Sequence, residues 1–167
     1  LKIAGKGVYL GPLRLLALEV YEQINAYGVP CTMLTGQECI EEENSRITAS
    51  TIEMADFDEE YDIAVIDEAQ LVADTDRGHS WTKAILGLCA KEIHICMSPA
   101  AEPAMIHLIE LCGDDYEIER YERKTALLCE DKPFAFPEDV KPGDALIVFS
   151  KKSVLDVAGR LEEQGID

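Results

Sequence analysis

Short apolar runs alternate along the chain with stretches in which apolar residues return every third or fourth position, and the two periods predict strands and helices in turn. Gly7-Val-Tyr-Leu10 reads as a short buried strand. Gly11-Pro12 follows, with proline at the first helical position, where its missing N–H loses no partner. Leu13, Leu16, Ala17, Val20 and Ile24 then repeat on one helical face, and Gly28 is the expected stop. Val29–Leu34 reads as a second strand and Arg46–Thr51 as a further short one. Asp62-Ile-Ala-Val-Ile-Asp67 is the clearest buried strand, β-branched and apolar on both faces as a central parallel strand requires. A helix carrying Trp81, Ala84, Ile85 and Leu88 comes next, then a strand over Glu92–Cys96, a helix over Glu102–Cys112 and a strand over Tyr116–Tyr121. This alternation predicts an α/β fold built on a parallel sheet with flanking helices.

Residues 130–143 hold three prolines and read as a linker. Beyond it, Ala145–Phe149 predicts one more strand, and Ser150 is placed to cap a helix with Val154, Leu155, Ala158 and Leu161 on one face. A single strand–helix unit cannot bury both of its faces. The expected organisation is therefore a first domain over residues 1–129, a linker over 130–143, and the start of a second domain over 144–167. Leu1 stands where an initiator Met would, and the chain reads as a piece of something longer.

Charge complicates this picture. With 33 Asp+Glu against 15 Lys+Arg, the formal charge of −18 argues against non-specific affinity for nucleic acid or anionic membranes. The distribution relaxes that exclusion. Nine of the acids lie between Glu38 and Glu60, whereas residues 1–37 set Lys2, Lys6 and Arg14 against Glu19 and Glu22, three cations less two acids, a balance of +1. Six cysteines occur with no CxxC pair, and Cys89, Cys96 and Cys129 sit in apolar runs where a thiol acts as a small hydrophobe. That usage argues against a disulfide framework or structural zinc and fits a reducing, cytoplasmic setting. No run approaches the 18 apolar residues of a membrane span, so no membrane association is expected.

The strongest chemical signal is Val65-Ile66-Asp67-Glu68-Ala69-Gln70, two adjacent carboxylates at the C-terminal end of a central strand. Parallel sheets place ligands there. An Asp at that point of a nucleotide-hydrolysing sheet holds Mg²⁺ through water, and the next Glu polarises the attacking water. The plain alternative is an acidic turn. Other residues also have plain readings: Arg14 as a solvated helix residue, Thr51 as a strand-end cap, Trp81 as core. His79, His94 and His107 lack metal-ligand spacing, and His94 is expected to point outward between Ile93 and Ile95. Gly5-Lys6-Gly7 is followed by neither Ser nor Thr and is no phosphate loop.

Five segments occur in order: Gly-Pro-Leu-Arg-Leu-Leu-Ala-Leu-Glu (11–19), Thr-Gly-Gln-Glu (35–38), Ser-Thr-Ile-Glu-Met (50–54), Ile-Asp-Glu-Ala-Gln (66–70) and Arg-Gly-His-Ser-Trp-Thr-Lys-Ala-Ile-Leu-Gly-Leu-Cys-Ala (77–90). Together with Tyr121-Glu-Arg-Lys-Thr125 and Gly143–Lys151, they closely resemble the mitochondrial-degradosome (Suv-three) type of superfamily-two DExH RNA helicase, which has bacterial relatives. The resemblance runs over essentially the whole chain. It implies a RecA-like lobe, ATP and Mg²⁺ as cofactors, and ATP hydrolysis coupled to movement along single-stranded RNA, with DNA as the alternative polymer and a ribonuclease as a partner in RNA degradation. Residue by residue, it implies that Asp67 holds Mg²⁺, Glu68 is the catalytic base, and Gln70 links the nucleotide and RNA sites. Pro12, Arg14, Thr35, Gly36 and Thr51 would contact the RNA backbone, whose phosphates suit amide, hydroxyl and guanidinium donors.

Three departures qualify this. The G-x-x-x-x-G-K-[ST] loop is absent and in the family would lie before residue 1; the arginine motif of the second lobe would lie beyond residue 167. Met97-Ser98-Pro99-Ala100 stands where the family has Gly-Glu-Pro-Ala. The chain alone is therefore expected to be inactive as an ATPase. The competing readings are a non-catalytic, acidic, helicase-like interaction module and an unrelated α/β domain using Asp67 for metal chemistry.

Overall fold

Val8, Tyr9 and Leu10 are buried in β1 (Gly7–Gly11), and the strand lies inside a six-stranded sheet. The computed structural model describes residues 1, 3–122 and 125–165. Lys2, Arg123 and Lys124, used in the sequence reading, lie outside the described residues. After β1 come α1 (Arg14–Ala26), β2 (Cys31–Leu34), the two-residue β3 (Cys39–Ile40), β4 (Ile47–Thr51) and β5 (Glu60–Ile66). Then follow α2 (Gly78–Gly87), β6 (Cys89–Ile95) and α3 (Glu102–Cys112), with α4 (Lys151–Glu162) near the C-terminus. The strand order is β3-β2-β4-β1-β5-β6. Every pairing is parallel except β2 with β3.

Strand alternation divides the core into two layers. Val8, Leu10, Ala64 and Ile66 face Trp81, Ala84 and Ile85 of α2 and Met105 of α3. Tyr9, Cys31, Ile47 and Ala49 face the other way, onto Leu16, Val20 and Ile24 of α1. The result is the predicted α/β arrangement, with helices on both faces of a mostly parallel sheet. Trp81 is fully buried, as its helical spacing with Ile85 predicts. His94 is exposed on β6 as expected.

Several expectations are corrected. Helix α1 begins at Arg14 with Leu13 at its N-cap, so Pro12 lies in the turn before the helix. The acidic block contains a strand, β3, which pairs antiparallel with β2 at the sheet edge. Of the six cysteines only Cys31 is buried; Cys89, Cys96 and Cys129 are exposed. Apolar neighbours in sequence do not bury a residue at a strand end or in a loop.

The chain divides into two compact units, Leu1–Ile118 and Glu119–Asp167. The strands expected over Tyr116–Tyr121 and Ala145–Phe149 do not form among the described residues: neither segment joins the six-stranded sheet. A strand has no ladder without a paired neighbour. In the second unit α4 forms as predicted, with the Ser150 hydroxyl accepting from the Ser153 amide at 3.0 Å. Val154, Leu155, Ile147 and Phe149 are exposed. No helix is long and apolar enough to cross a membrane among the described residues.

Candidate functional site

Because its strands run parallel, the sheet brings the C-terminal ends of β2, β4, β1, β5 and β6 to one rim. The register pairs Leu34 with Ser50, Gly11 with Thr51, Leu10 with Ile66, and Ile66 with Ile95. The residues that follow those ends therefore succeed one another along the rim: Thr35–Gly36, Thr51, Pro12–Arg14, Asp67–Glu68 and Cys96–Ser98. All the sequence-predicted site residues lie on this rim.

The acidic turn is braced from two elements, β1 and α2. The Asp67 amide donates to the Leu10 carbonyl at 2.8 Å, and the Asp67 carbonyl accepts from the Trp81 indole N–H at 3.0 Å. One carboxylate oxygen of Asp67 accepts from the Tyr9 hydroxyl at 2.7 Å, the other from the Glu68 amide at 2.8 Å. Tyr9 pairs in register with Val65, so its ring must run up the strand to reach Asp67. Glycine at position 11 permits this, since a Cβ there would stand 2.7 Å from the Tyr9 oxygen. Burial, then the hydrogen bond and charge of Asp67, push the Tyr9 phenol well above the ordinary tyrosine value. It stays protonated and serves Asp67 as a donor.

Glu68 adopts the left-handed conformation, φ 51° and ψ 41°, which costs a non-glycine residue on the order of 1 kcal/mol. The Gln70 amide donates to its carboxylate, and the Gln70 oxygen accepts from the Ser98 amide at 3.0 Å. Gln70 thus ties the turn after β5 to the segment after β6. The Ser98 group in this bond is its backbone amide, so the bond does not depend on the side chain at that position. An open crevice results, lined by Asp67, Glu68, Gln70, Cys96, Met97 and Ser98. Desolvation in the crevice, then the Asp67 and Glu68 charges, raise the Cys96 thiol above its usual value.

Among the described residues no three His, Cys, Asp or Glu groups converge as a metal cage. Asp67 and Glu68 are the one or two carboxylates that Mg²⁺ would take beside its own waters and phosphate oxygens. Each Asp67 oxygen accepts one hydrogen bond and has a further lone pair to offer.

The other half of the rim is built differently. The Arg14 guanidinium donates to Gln37 at 3.1 Å and to the Glu38 carboxylate at 2.8 Å. The balance of +1 over residues 1–37 stops one residue short of the acid that neutralises this cation. Thr35 is buried, and its hydroxyl donates to the Glu38 carbonyl at 3.0 Å while accepting from the Glu38 amide at 3.1 Å. It closes the turn that exposes Gly36. Thr51 ends β4 and leads into a 3₁₀ turn over Ile52–Met54, with no side-chain cap bond. Pro12 is buried, and its carbonyl accepts from Arg77 at 2.7 Å.

Sequence reasoning missed Tyr9 and the part played by Arg77. The latter had a local signal, an arginine four residues before a tryptophan on one helix, which brings the two together. Tyr9 had only a weak one: buried strand tyrosines need a hydroxyl partner.

Against known proteins, the family model for the DEXQ-box helicase domain of Suv3 matches residues 1–121. The "ATP-dependent RNA helicase SUPV3L1, mitochondrial" of Danio rerio is 42% identical over 98% of this chain and 22% of its own length. The Homo sapiens protein of that name is 39% identical over 98% and 21%. The "ATP-dependent RNA helicase SUV3, mitochondrial" of Saccharomyces cerevisiae is 38% identical over 98% and 23%. The chain thus spans between a fifth and a quarter of the length of these relatives. The Sulfolobus solfataricus SWI2/SNF2 ATPase core in complex with dsDNA overlays at TM-score 0.42 and 19% identity, covering 60% of this chain and 23% of that one, too loosely to build on. All three relatives are named as mitochondrial, which overturns the cytoplasmic setting expected from the cysteines. Free thiols speak for a reducing environment and do not say which compartment supplies it.

Proposed function

The chain belongs to the Suv3 family of DEXQ-box helicases and carries its RecA-like sheet, and from that premise we propose that it supplies the carboxylate half of an ATP site and one wall of a single-stranded RNA path. The observation that carries this reading is the rim itself, on which the parallel strands set Asp67–Glu68 beside Pro12–Arg14, Thr35–Gly36 and Thr51. Residues 1–129 are then the first helicase lobe, residues 130–143 the connection, and residues 144–167 the start of the second lobe.

In this reading Asp67 holds Mg²⁺, its carboxylate oriented by Tyr9 and by the Glu68 amide. When bound, Mg²⁺-ATP supplies the phosphoanhydride to be cut and neutralises charge on its phosphates. Glu68 takes the proton from the attacking water, and the Gln70 amide holds its carboxylate towards the crevice. Through Ser98, Gln70 also makes the crevice sensitive to any shift of the segment after β6. Arg14 and the turn at Gly36 contact the RNA backbone, which carries no base information and makes binding indifferent to sequence. The intact Gln70–Ser98 bond favours this reading over a non-catalytic interaction module.

Hydrolysis also needs a phosphate cradle and a cation from a second lobe. The expected outcome is no phosphate release above background from the 167-residue chain with ATP and RNA. A longer protein joining it to a Gly-Lys-Ser/Thr loop and a complete second lobe should separate an RNA duplex bearing a single-stranded overhang, and only with ATP. Turnover by the chain alone that disappears in Glu68→Gln would overturn the first claim, and ATP-independent strand separation the second.

A further inference from the structure

Arg77 stands at the N-cap of α2 and has no role in the reading so far. Its guanidinium donates to the Pro12 carbonyl at 2.7 Å and to the Glu53 carboxylate at 2.8 Å. It also lies 5.5 Å from the centre of the Trp81 ring, within cation–π range. Glu53 belongs to the 3₁₀ turn that follows Thr51. One side chain therefore touches the segments that begin at Pro12 and Thr51. Through a single ring it also reaches the carbonyl of Asp67, to which the Trp81 indole donates.

The exposure of these groups sets a direction. Trp81 is fully buried, whereas the Arg77 and Glu53 side chains remain 42% and 40% exposed. An anion arriving from solvent meets the guanidinium and cannot meet the ring. A phosphate is the one RNA group that competes with a carboxylate for that fork of donors. Once the guanidinium turns from Glu53 to a phosphate, its hold on Pro12 and its place over Trp81 both change, and the ring is the group bonded to Asp67.

We propose that Arg77 is a positioning residue that carries RNA occupancy of the rim to the Asp67–Glu68 turn, by exchanging Glu53 for an RNA phosphate and moving against Trp81. This rests on the reading of the rim as an RNA path, and the test separates the two. Trp81 is the only tryptophan in the chain, so its emission reports on this ring alone. Binding is followed by the anisotropy of a fluorescein-labelled oligouridylate, and Trp81 emission by titration with the same oligomer unlabelled.

The expected result is an emission change with the midpoint of the anisotropy curve. Arg77→Gln removes one phosphate contact and should weaken binding severalfold, and at saturating oligomer it should lose the emission change. Glu53→Gln, which removes the competitor without touching Arg77 or Trp81, should shift the emission of the RNA-free chain towards its RNA-bound value. It keeps the test decisive if Arg77→Gln proves unfolded by circular dichroism. Binding with unaltered Trp81 emission would overturn the relay and leave the RNA reading standing. No anisotropy change at low salt would overturn the RNA reading itself, and the relay with it.

Discussion

The two halves of the rim handle charge in opposite ways. In the crevice after β5 and β6, Asp67 and Glu68 are held by neutral donors, the Tyr9 hydroxyl, the Gln70 amide and backbone N–H groups. Among the described residues no cation pairs with either. Over β2, β4 and β1 the cations Arg14 and Arg77 are each held by the protein's own carboxylates, Glu38 and Glu53. The crevice thus presents negative charge ready for a cation, while the half proposed to face RNA would meet a polyanion only by displacing an internal competitor. A chain with net charge −18 can carry an RNA path of this kind, with an affinity that salt and neighbouring acids hold down.

The largest expected effect breaks the crevice half. Trp81→Ala removes a fully buried indole and the donor to Asp67, and should lower stability by about 3–5 kcal/mol in urea unfolding. Gly11→Ala should cost roughly 1–3 kcal/mol, because the new Cβ collides with the Tyr9 ring and drives its hydroxyl from Asp67. Tyr9→Phe in the same assay loses only the hydroxyl, and a smaller cost than for Gly11→Ala is expected.

An alkaline titration sharpens the comparison from outside the rim. Burial, then the Asp56 and Glu59 charges, push the Tyr61 phenol up to about 12 from an ordinary value near 10. The folded state therefore retains this proton where the unfolded state has lost it. The associated stability is fully present below pH 10 and is lost as the pH rises towards 12. Tyr61→Phe should flatten that limb, read as the slope of the urea midpoint against pH.

The smallest effect touches the half proposed to face RNA. Glu38→Gln frees Arg14 and should raise oligouridylate affinity about two- to fivefold at low salt, the scale of one exposed ion pair. The gain should fade as salt is raised. An unchanged affinity would place the RNA path away from Arg14.

How much of this was legible in the sequence depended on how local its cause was. The strand ending at Ile66, the Asp67–Glu68 turn and the buried face of Trp81 all follow from periodicity within a few residues. Tyr9 reaches Asp67 across 58 positions, and nothing near Tyr9 announces that partner. The strands expected at Tyr116–Tyr121 and Ala145–Phe149 had suitable composition but do not join the sheet, and strand pairing is a requirement composition does not express. Arg14 looked available because its acid, Glu38, lies beyond the strand that brings it back. Position along the rim was predictable, and the bracing around it was not.

The proposal that the Asp67–Glu68 crevice is the water-activating half of a helicase ATP site is tested most directly by RNA-stimulated phosphate release from a protein joining this chain to a phosphate-binding loop and a complete second lobe, with and without Glu68→Gln. Glu68→Gln should lower kcat on the order of 100-fold or more, with RNA binding retained. Turnover unchanged by that substitution would contradict the proposal.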